Sequence, residues 1–292
     1  MEQKSDIILS TNHYTINDTL PDGERKKAKI ILLGGQSNAS GCSRDDYLNK
    51  NANSEKYFEY LTGYNNVYIN FFVSGTNESK GFTKCTVRQG EGKTCFGPEL
   101  GIAERLNEKY PDELFFIIKY AWGATNLCNQ WLPPSSNGKT GALYLSFINF
   151  VESSLYYLIS KNYDTEIKSM CWMQGESDSL EYESAIKYKE NLINLINDIR
   201  NHFSQYAAKD GIAFIDAYIS DCPECWTYRQ IINESKKVVS KLLEMDIIID
   251  TISEGLTTSK EPYEQPDIAH YDSLSQIKLG HLFAEAIMKF LK

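Results

Sequence analysis

The chain has 292 residues, 42% of them hydrophobic and 24% charged, a composition that folds and excludes a disordered polypeptide. Its 39 acidic and 30 basic residues leave a net charge of −9, so the surface repels phosphate backbones and anionic lipid, and no nucleic-acid partner is expected. No run of about 18 apolar residues occurs, so no membrane span is expected. The opening MEQKSDIILSTNHY has too short and interrupted an apolar stretch for a signal peptide.

Seven cysteines, an odd number thinly spread, read as reduced thiols. That sets an expectation of a cytoplasmic location, or a secreted or periplasmic one if a leader precedes the sequence given. Cys85 and Cys95 would close a loop in an exported protein. No repeat, low-complexity tract or proline-rich linker divides the chain. The expected organisation is therefore an N-terminal arm (1–28) followed by one domain (29–292).

From residue 29 onward, short β-branched runs alternate with longer amphipathic ones. Strands are predicted at 29–35, 67–75, 114–123, 168–175, 212–219 and 246–253. Helices are predicted at 98–109, 144–160, 181–203, 228–245 and 273–291. In 181–203, Leu192, Leu195, Ile196, Ile199 and Phe203 recur at intervals of three and four and define one helix face. The stretches 40–66, 77–93 and 132–141 are polar and turn-rich and read as loops. Apolar strands separated by helices predict an α/β fold, a mostly parallel sheet covered on both faces. Ligands on such sheets lie beyond the carboxyl ends of the strands, where this chain carries its glycines.

Four segments can carry chemistry. Gly34-Gly35-Gln36-Ser37-Asn38 follows the first strand and sets a serine at a strand-to-helix junction, where it is either a nucleophile with a base nearby or a helix cap. It is not the Gly-x-Ser-x-Gly elbow, because the fifth position is Ala39. Among four histidines, His270 alone sits in a loop. Asp267, three residues earlier, can orient its ring through a tight turn, or can make only an Asx-turn beneath a solvated ring. Gly97-Pro98-Glu99 opens a helix and presents either an N–H to developing negative charge or an ordinary helix start. Cys171 to Asp178 (CWMQGESD) ends a strand: Gln174 can donate to an oxyanion, and Glu176 and Asp178 can order the loop.

In this order the segments resemble the SGNH-hydrolase superfamily, and within it the sialate O-acetylesterase-like and acetylxylan-esterase branch, carbohydrate esterase family 6. The resemblance also draws on Trp122-Gly123-Ala124-Thr125 and on the run from Asp267-Ile268-Ala269-His270 to Gly280, and it covers residues 29–291. It implies a three-layer α/β/α sandwich with a flavodoxin-like sheet and neither metal nor organic cofactor. It implies Ser37 as nucleophile, His270 as general base and acid, and Asp267 as its orienting carboxylate; should Asp267 prove dispensable, Glu264 or Glu176 becomes the preferred partner for His270. The oxyanion hole implied is the N–H groups of Ser37 and Gly97 with the Gln174 amide. The implied partner is an acetylated carbohydrate, with Gln36, Asn38, Glu176, Trp122 and Trp131 as candidate contacts. Two positions depart from the family pattern: Ala39 where members commonly have Met, and Met173 where they commonly have His. The competing expectations are a general short-chain acyl esterase or thioesterase, a non-catalytic glycan-binding protein, and a zinc or redox role for Cys222-Pro223-Glu224-Cys225. The last lacks the second ligand pair of a structural zinc site.

Overall fold

The structure, a computed structural model, describes residues 14–291. Ten strands and eight α-helices occur among them: β1 (Lys27–Gly35), α1 (Ser37–Ser40), β2 (Ser43–Arg44), α2 (Asp45–Asn51), α3 (Ser54–Thr62), β3 (Val67–Val73), β4 (Asn77–Glu78), β5 (Thr83–Lys84), β6 (Cys95–Phe96), α4 (Glu99–Lys109), β7 (Leu114–Ala121), α5 (Ala142–Ser160), β8 (Asp164–Met173), α6 (Tyr182–His202), β9 (Ala213–Ala217), α7 (Arg229–Leu242), β10 (Asp246–Ile249) and α8 (Ser273–Met288). Every predicted strand and helix is present, with ends moved by a few residues. The central strands β1, β7 and β8 are buried along nearly their whole length, as their uninterrupted apolar runs require.

Six strands run parallel in the order β10-β9-β8-β1-β7-β3, and β4 and β5 pair antiparallel with β3 at one edge. Helices cover both sides, completing a three-layer α/β/α fold. Counted in chain order from the β3 edge, the parallel strands run 2-3-1-4-5-6, whereas flavodoxin runs 2-1-3-4-5. Here β7 lies between β1 and β3, so β1 has β7 on one side and β8 on the other.

The segment 40–66, expected to be a loop, contains α2 and α3. Each buries only a narrow stripe, Tyr47 and Leu48 on α2 and Tyr60 on α3, too little apolar periodicity to stand out among Asn and Asp. Their signals are at the ends. Asp45 and Asp46 lie in the first turn of α2 and Lys50 in its last, matching the helix dipole. The Asn53 side chain caps α3 by accepting the Lys56 N–H at 2.7 Å.

The expected N-terminal arm is strapped to the domain where it is described. Tyr14 packs edge-on against Phe72 and Phe150 at 5.6 and 5.1 Å between ring centres. The N–H groups of Thr19 and Leu20 both donate to Tyr157 Oη, 2.9 Å away. His13 lies outside the described residues. Helix α5 is long and apolar enough by composition to cross a bilayer, but it packs on β7 and β8 with Leu143, Phe147, Val151, Leu155 and Leu158 buried. Cys85 and Cys95 are both free thiols, so the bond considered between them is not formed.

Helices α4 and α8 lie against each other through two glycines. A Cβ on Gly101 would sit 2.2 Å from Ile277 O, and one on Gly280 2.2 Å from Pro98 O. This backbone contact brings the start of α4 and the segment before α8 to the same end of the sheet. Gly280→Ala gains about 1 kcal/mol of helix propensity but drives a methyl into a backbone carbonyl, an overpacking that typically costs about 1–3 kcal/mol. Urea unfolding should show a net loss of stability. A variant as stable as the parent would mean the helices are not in backbone contact.

Candidate active site

The register of β1 assembles the site. Gly35 pairs with Ala121 of β7 and with Met173 of β8, so the chains leaving all three strands emerge side by side. Gly35 has φ +135°, and a Cβ there would lie 1.9 Å from Met173 O, so no other residue fits this turn. Ser37 follows as the first residue of α1. Among the described residues its hydroxyl makes no hydrogen bond, and its N–H has no partner.

Asn38 joins this turn to the segment before α8. Its Oδ1 accepts the Tyr271 N–H at 3.1 Å, and its Nδ2 donates to Glu176 Oε1 at 2.9 Å and to Ala269 O at 3.4 Å. Gln276, on the first turn of α8, donates its side-chain amide to Asn38 O at 2.8 Å. The residue after Ser37 thus holds the two residues that flank His270.

The His270 ring meets Asp267: Nδ1 lies 2.6 Å from Oδ2. The other oxygen, Oδ1, accepts the N–H groups of Ala269 and His270 at 2.9 and 3.3 Å. The Asx-turn and the orienting carboxylate, alternatives in the sequence, are therefore two oxygens of one side chain. Glu264 instead accepts the Tyr47 hydroxyl at 3.2 Å, and Glu176 holds Asn38, so neither replaces Asp267.

Burial by itself lowers the His270 pKa. The hydrogen bond and charge of Asp267, with the charges of Glu176 and Glu91, outweigh it and leave the pKa above 6.5. Burial raises the Asp267 pKa, but the bond to His270 and the two turn N–H groups bring it below its ordinary value. The signs define a window. A raised histidine pKa contributes stability below about 6.5 that is lost as pH climbs through the folded value. A lowered carboxylate pKa contributes stability above about 3.9 that is lost as pH falls through the folded value.

Several expected contacts have other work. Gly97 N–H donates to Glu99 Oε1 at 2.8 Å, and Glu99 Oε2 pairs with Lys119 Nζ at 2.7 Å, both side chains fully buried. Gly97 therefore has no free N–H for an oxyanion. Gln174 is also fully buried, its amide nitrogen 2.6 Å from Asp178 Oδ2 and 3.1 Å from Thr125 O, so it braces the 125–128 loop and cannot reach a substrate. Asp178 accepts the N–H groups of Leu127 and Cys128, and burial pushes its pKa up to about 6.

Gln36, Asn38 and Glu176, expected as substrate contacts, are buried and bonded within the protein: Gln36 Oε1 accepts the Ser177 N–H at 3.1 Å. They position the site and do not face a substrate. Trp131 is a core residue with 0% exposure, its indole N–H on Thr125 Oγ1 at 2.9 Å. Of the two tryptophans expected as substrate contacts only Trp122 keeps partial exposure, beside Phe72. Reading the sequence missed Glu91, whose charge reaches His270 and whose carboxylate would meet a Cβ on Gly123 at 2.8 Å. Its signal was its place in the glycine-rich loop 77–93.

A serine on the turn after the first strand is thus linked, through Asn38, to a histidine–aspartate pair before the last helix of a mostly parallel α/β/α sheet. The chain belongs to the carbohydrate esterase, sialic acid-specific acetylesterase family, whose model matches residues 27–289. It is similar in fold to the structure of NanS, with a TM-score of 0.67 at 15% identity over 92% of this chain and 98% of that one. A protein from Arabidopsis thaliana gives 0.62 at 19% identity over 89% and 98%. A carbohydrate acetylesterase from Xanthomonas citri gives 0.54 at 15% identity, over 90% of this chain and 56% of that one. A search of curated proteins returns no significant match.

The contribution of Asp267 is measurable in isolation. An NMR titration of His270 should give a midpoint above 6.5 in the parent, and a lower one in Asp267→Asn, which loses both the charge and the bond. Equal midpoints would contradict the pairing.

Proposed function

We propose that this esterase hydrolyses acetyl esters on sugar hydroxyls, of the sialate or xylan type, through Ser37, His270 and Asp267. The observation that carries the reading is the Asn38 bridge, which ties the residue next to Ser37 to both neighbours of a histidine already oriented by a carboxylate. Membership of the sialic acid-specific acetylesterase family supports a sugar acetylesterase, and the Xanthomonas citri protein of similar fold is a carbohydrate acetylesterase.

In the first half-reaction Ser37 Oγ attacks the acetyl carbonyl carbon while His270 Nε2 takes its proton. Asp267 holds Nδ1–H, which fixes the tautomer and stabilises the imidazolium. The carbonyl oxygen becomes an oxyanion. With Gly97 and Gln174 both engaged internally, the unpartnered N–H of Ser37 is the donor left to it from the expected three. Collapse breaks the bond to the sugar oxygen, which leaves with the proton from His270. In the second half-reaction a water gives its proton to His270 and attacks the acetyl-serine, and acetate departs as the proton returns to Ser37. Ser37 and His270 share no hydrogen bond in the free protein, and such bonds are often long until substrate arrives. Because His270 must be neutral to act as base, kcat/KM should rise with pH through an ionisation above its ordinary value.

The test is acetate release from acetylated sialate, acetylated xylan and a small acetyl ester, with an octanoyl ester for comparison. The acetylated sugars should be hydrolysed and the octanoyl ester not. Ser37→Ala should lose on the order of 10⁴–10⁶ in kcat while remaining folded. Undiminished acetate release by Ser37→Ala would overturn the nucleophile, and a preference for octanoyl esters would overturn the substrate class.

A further inference from the structure

The motif Cys222-Pro223-Glu224-Cys225 takes no part in the ester chemistry, yet the fold gives it a defined geometry. The N–H groups of Cys225 and Trp226 both donate to Cys222 O, at 3.2 and 2.8 Å. The four residues therefore make one helical turn, and side chains three apart on such a turn share a face. The two Sγ atoms are 2.7 Å apart, against about 2.05 Å in a disulfide. Both are free thiols.

The turn is held from both sides. Trp226 Nε1 donates to Ser220 Oγ at 3.1 Å, Ile219 N–H donates to Asn233 Oδ1 at 3.0 Å, and Arg229 pairs with Asp221. Cys222 is buried while Cys225 is partly exposed, so one sulfur is open to a reagent and the other waits behind it. Of the remaining cysteines, Cys85 and Cys171 are buried, and no second pair among the described residues is joined sulfur to sulfur by a hydrogen bond.

We propose that Cys222 and Cys225 are a redox site: a vicinal dithiol that a peroxide closes reversibly to a disulfide. The Cys225 thiolate attacks one peroxide oxygen, breaking the O–O bond, and becomes a sulfenic acid as hydroxide leaves. Cys222 sulfur then attacks the Cys225 sulfur, the S–O bond breaks, and the oxygen departs as water. Two thiols lose two electrons and two protons, and hydrogen peroxide becomes two molecules of water. A dithiol such as dithiothreitol reverses the change by exchange through a mixed disulfide. The surroundings set the pace. Burial, the bond to Cys222 and the charges of Cys222, Glu224 and Asp267 push the Cys225 thiol up to about 12, so closure is slow at neutral pH.

The experiment treats the native protein with a small excess of hydrogen peroxide, unfolds it in denaturant, alkylates free thiols, and reads intact and peptide masses. The expected product has lost the mass of two hydrogen atoms, with Cys222 and Cys225 alone of the seven cysteines protected from alkylation, and dithiothreitol restores both. Cys222→Ser should stop at a sulfenic acid or a mixed disulfide and form no internal bond. Oxidation that spreads over other cysteines first, runs to the sulfinic acid without a disulfide, or leaves both thiols alkylatable would overturn the proposal. The readout is independent of esterase activity, so failure here and failure of the ester chemistry are distinguishable.

Discussion

One asparagine holds this site together. Ser37 and His270 lie near opposite ends of the chain, and neither carries a bond to the other in the free protein. What joins them is Asn38, whose amide accepts from Tyr271 and donates toward Ala269 and Glu176. The amide has only one orientation that satisfies a donor on one side and a carboxylate on the other, so Glu176 fixes which way Asn38 points. Buried hydrogen bonds of this kind add modestly to stability, about 1 kcal/mol each, but leaving a partner unsatisfied costs about 1–3 kcal/mol. The bridge is therefore made completely or disrupted at a cost to fold and site alike.

The same logic explains why the most distinctive run, Gln174 to Asp178, keeps its amide and both carboxylates from solvent. Gln174, Glu176 and Asp178 are all fully buried at the end of β8. Each reaches a neighbouring segment that leaves a strand end: Gln174 and Asp178 brace 125–128, and Glu176 braces Asn38. Glu99 does the equivalent for Gly97, anchored by buried Lys119. A long loop over the carboxyl end of a sheet needs internal hydrogen-bond partners, and these carboxylates and amides supply them. The motif is the scaffold of the site, and the groups that face outward are few.

The sheet and its covering helices were legible because long apolar runs and regular three-and-four spacing follow directly from burial. The Ser37 turn and the Asp267–His270 spacing were legible because both are local: a glycine-dependent turn and a carboxylate within one turn of a ring. The loop-ordering part of Glu176 and Asp178 was legible too, but the internal roles of Gln174, Gln36 and Asn38 were not, because a polar residue near a strand end reads the same whether its side chain faces a cleft or the interior, and nothing in Gly97 itself shows that its N–H is taken. Trp131 was misread for the same reason, as an aromatic beside a loop that turned out to be core. Lys119 within LFFIIKYA carried the missing signal. A lone lysine in an otherwise apolar strand has to find a buried partner, and that partner, Glu99, is the residue that occupies the Gly97 N–H.

The proposed mechanism has Asn38 deliver the histidine to the serine, and covalent labelling measures that directly. A serine-directed phosphonate ester should attach once to the parent protein, on Ser37, and not at all to Ser37→Ala. In Asn38→Ala, with far-UV circular dichroism unchanged, labelling should slow by about 10²-fold, the cost of roughly 1 Å of misplacement in a reacting pair. Labelling of Asn38→Ala at the parent rate, or on a residue other than Ser37 in the parent, would contradict that role.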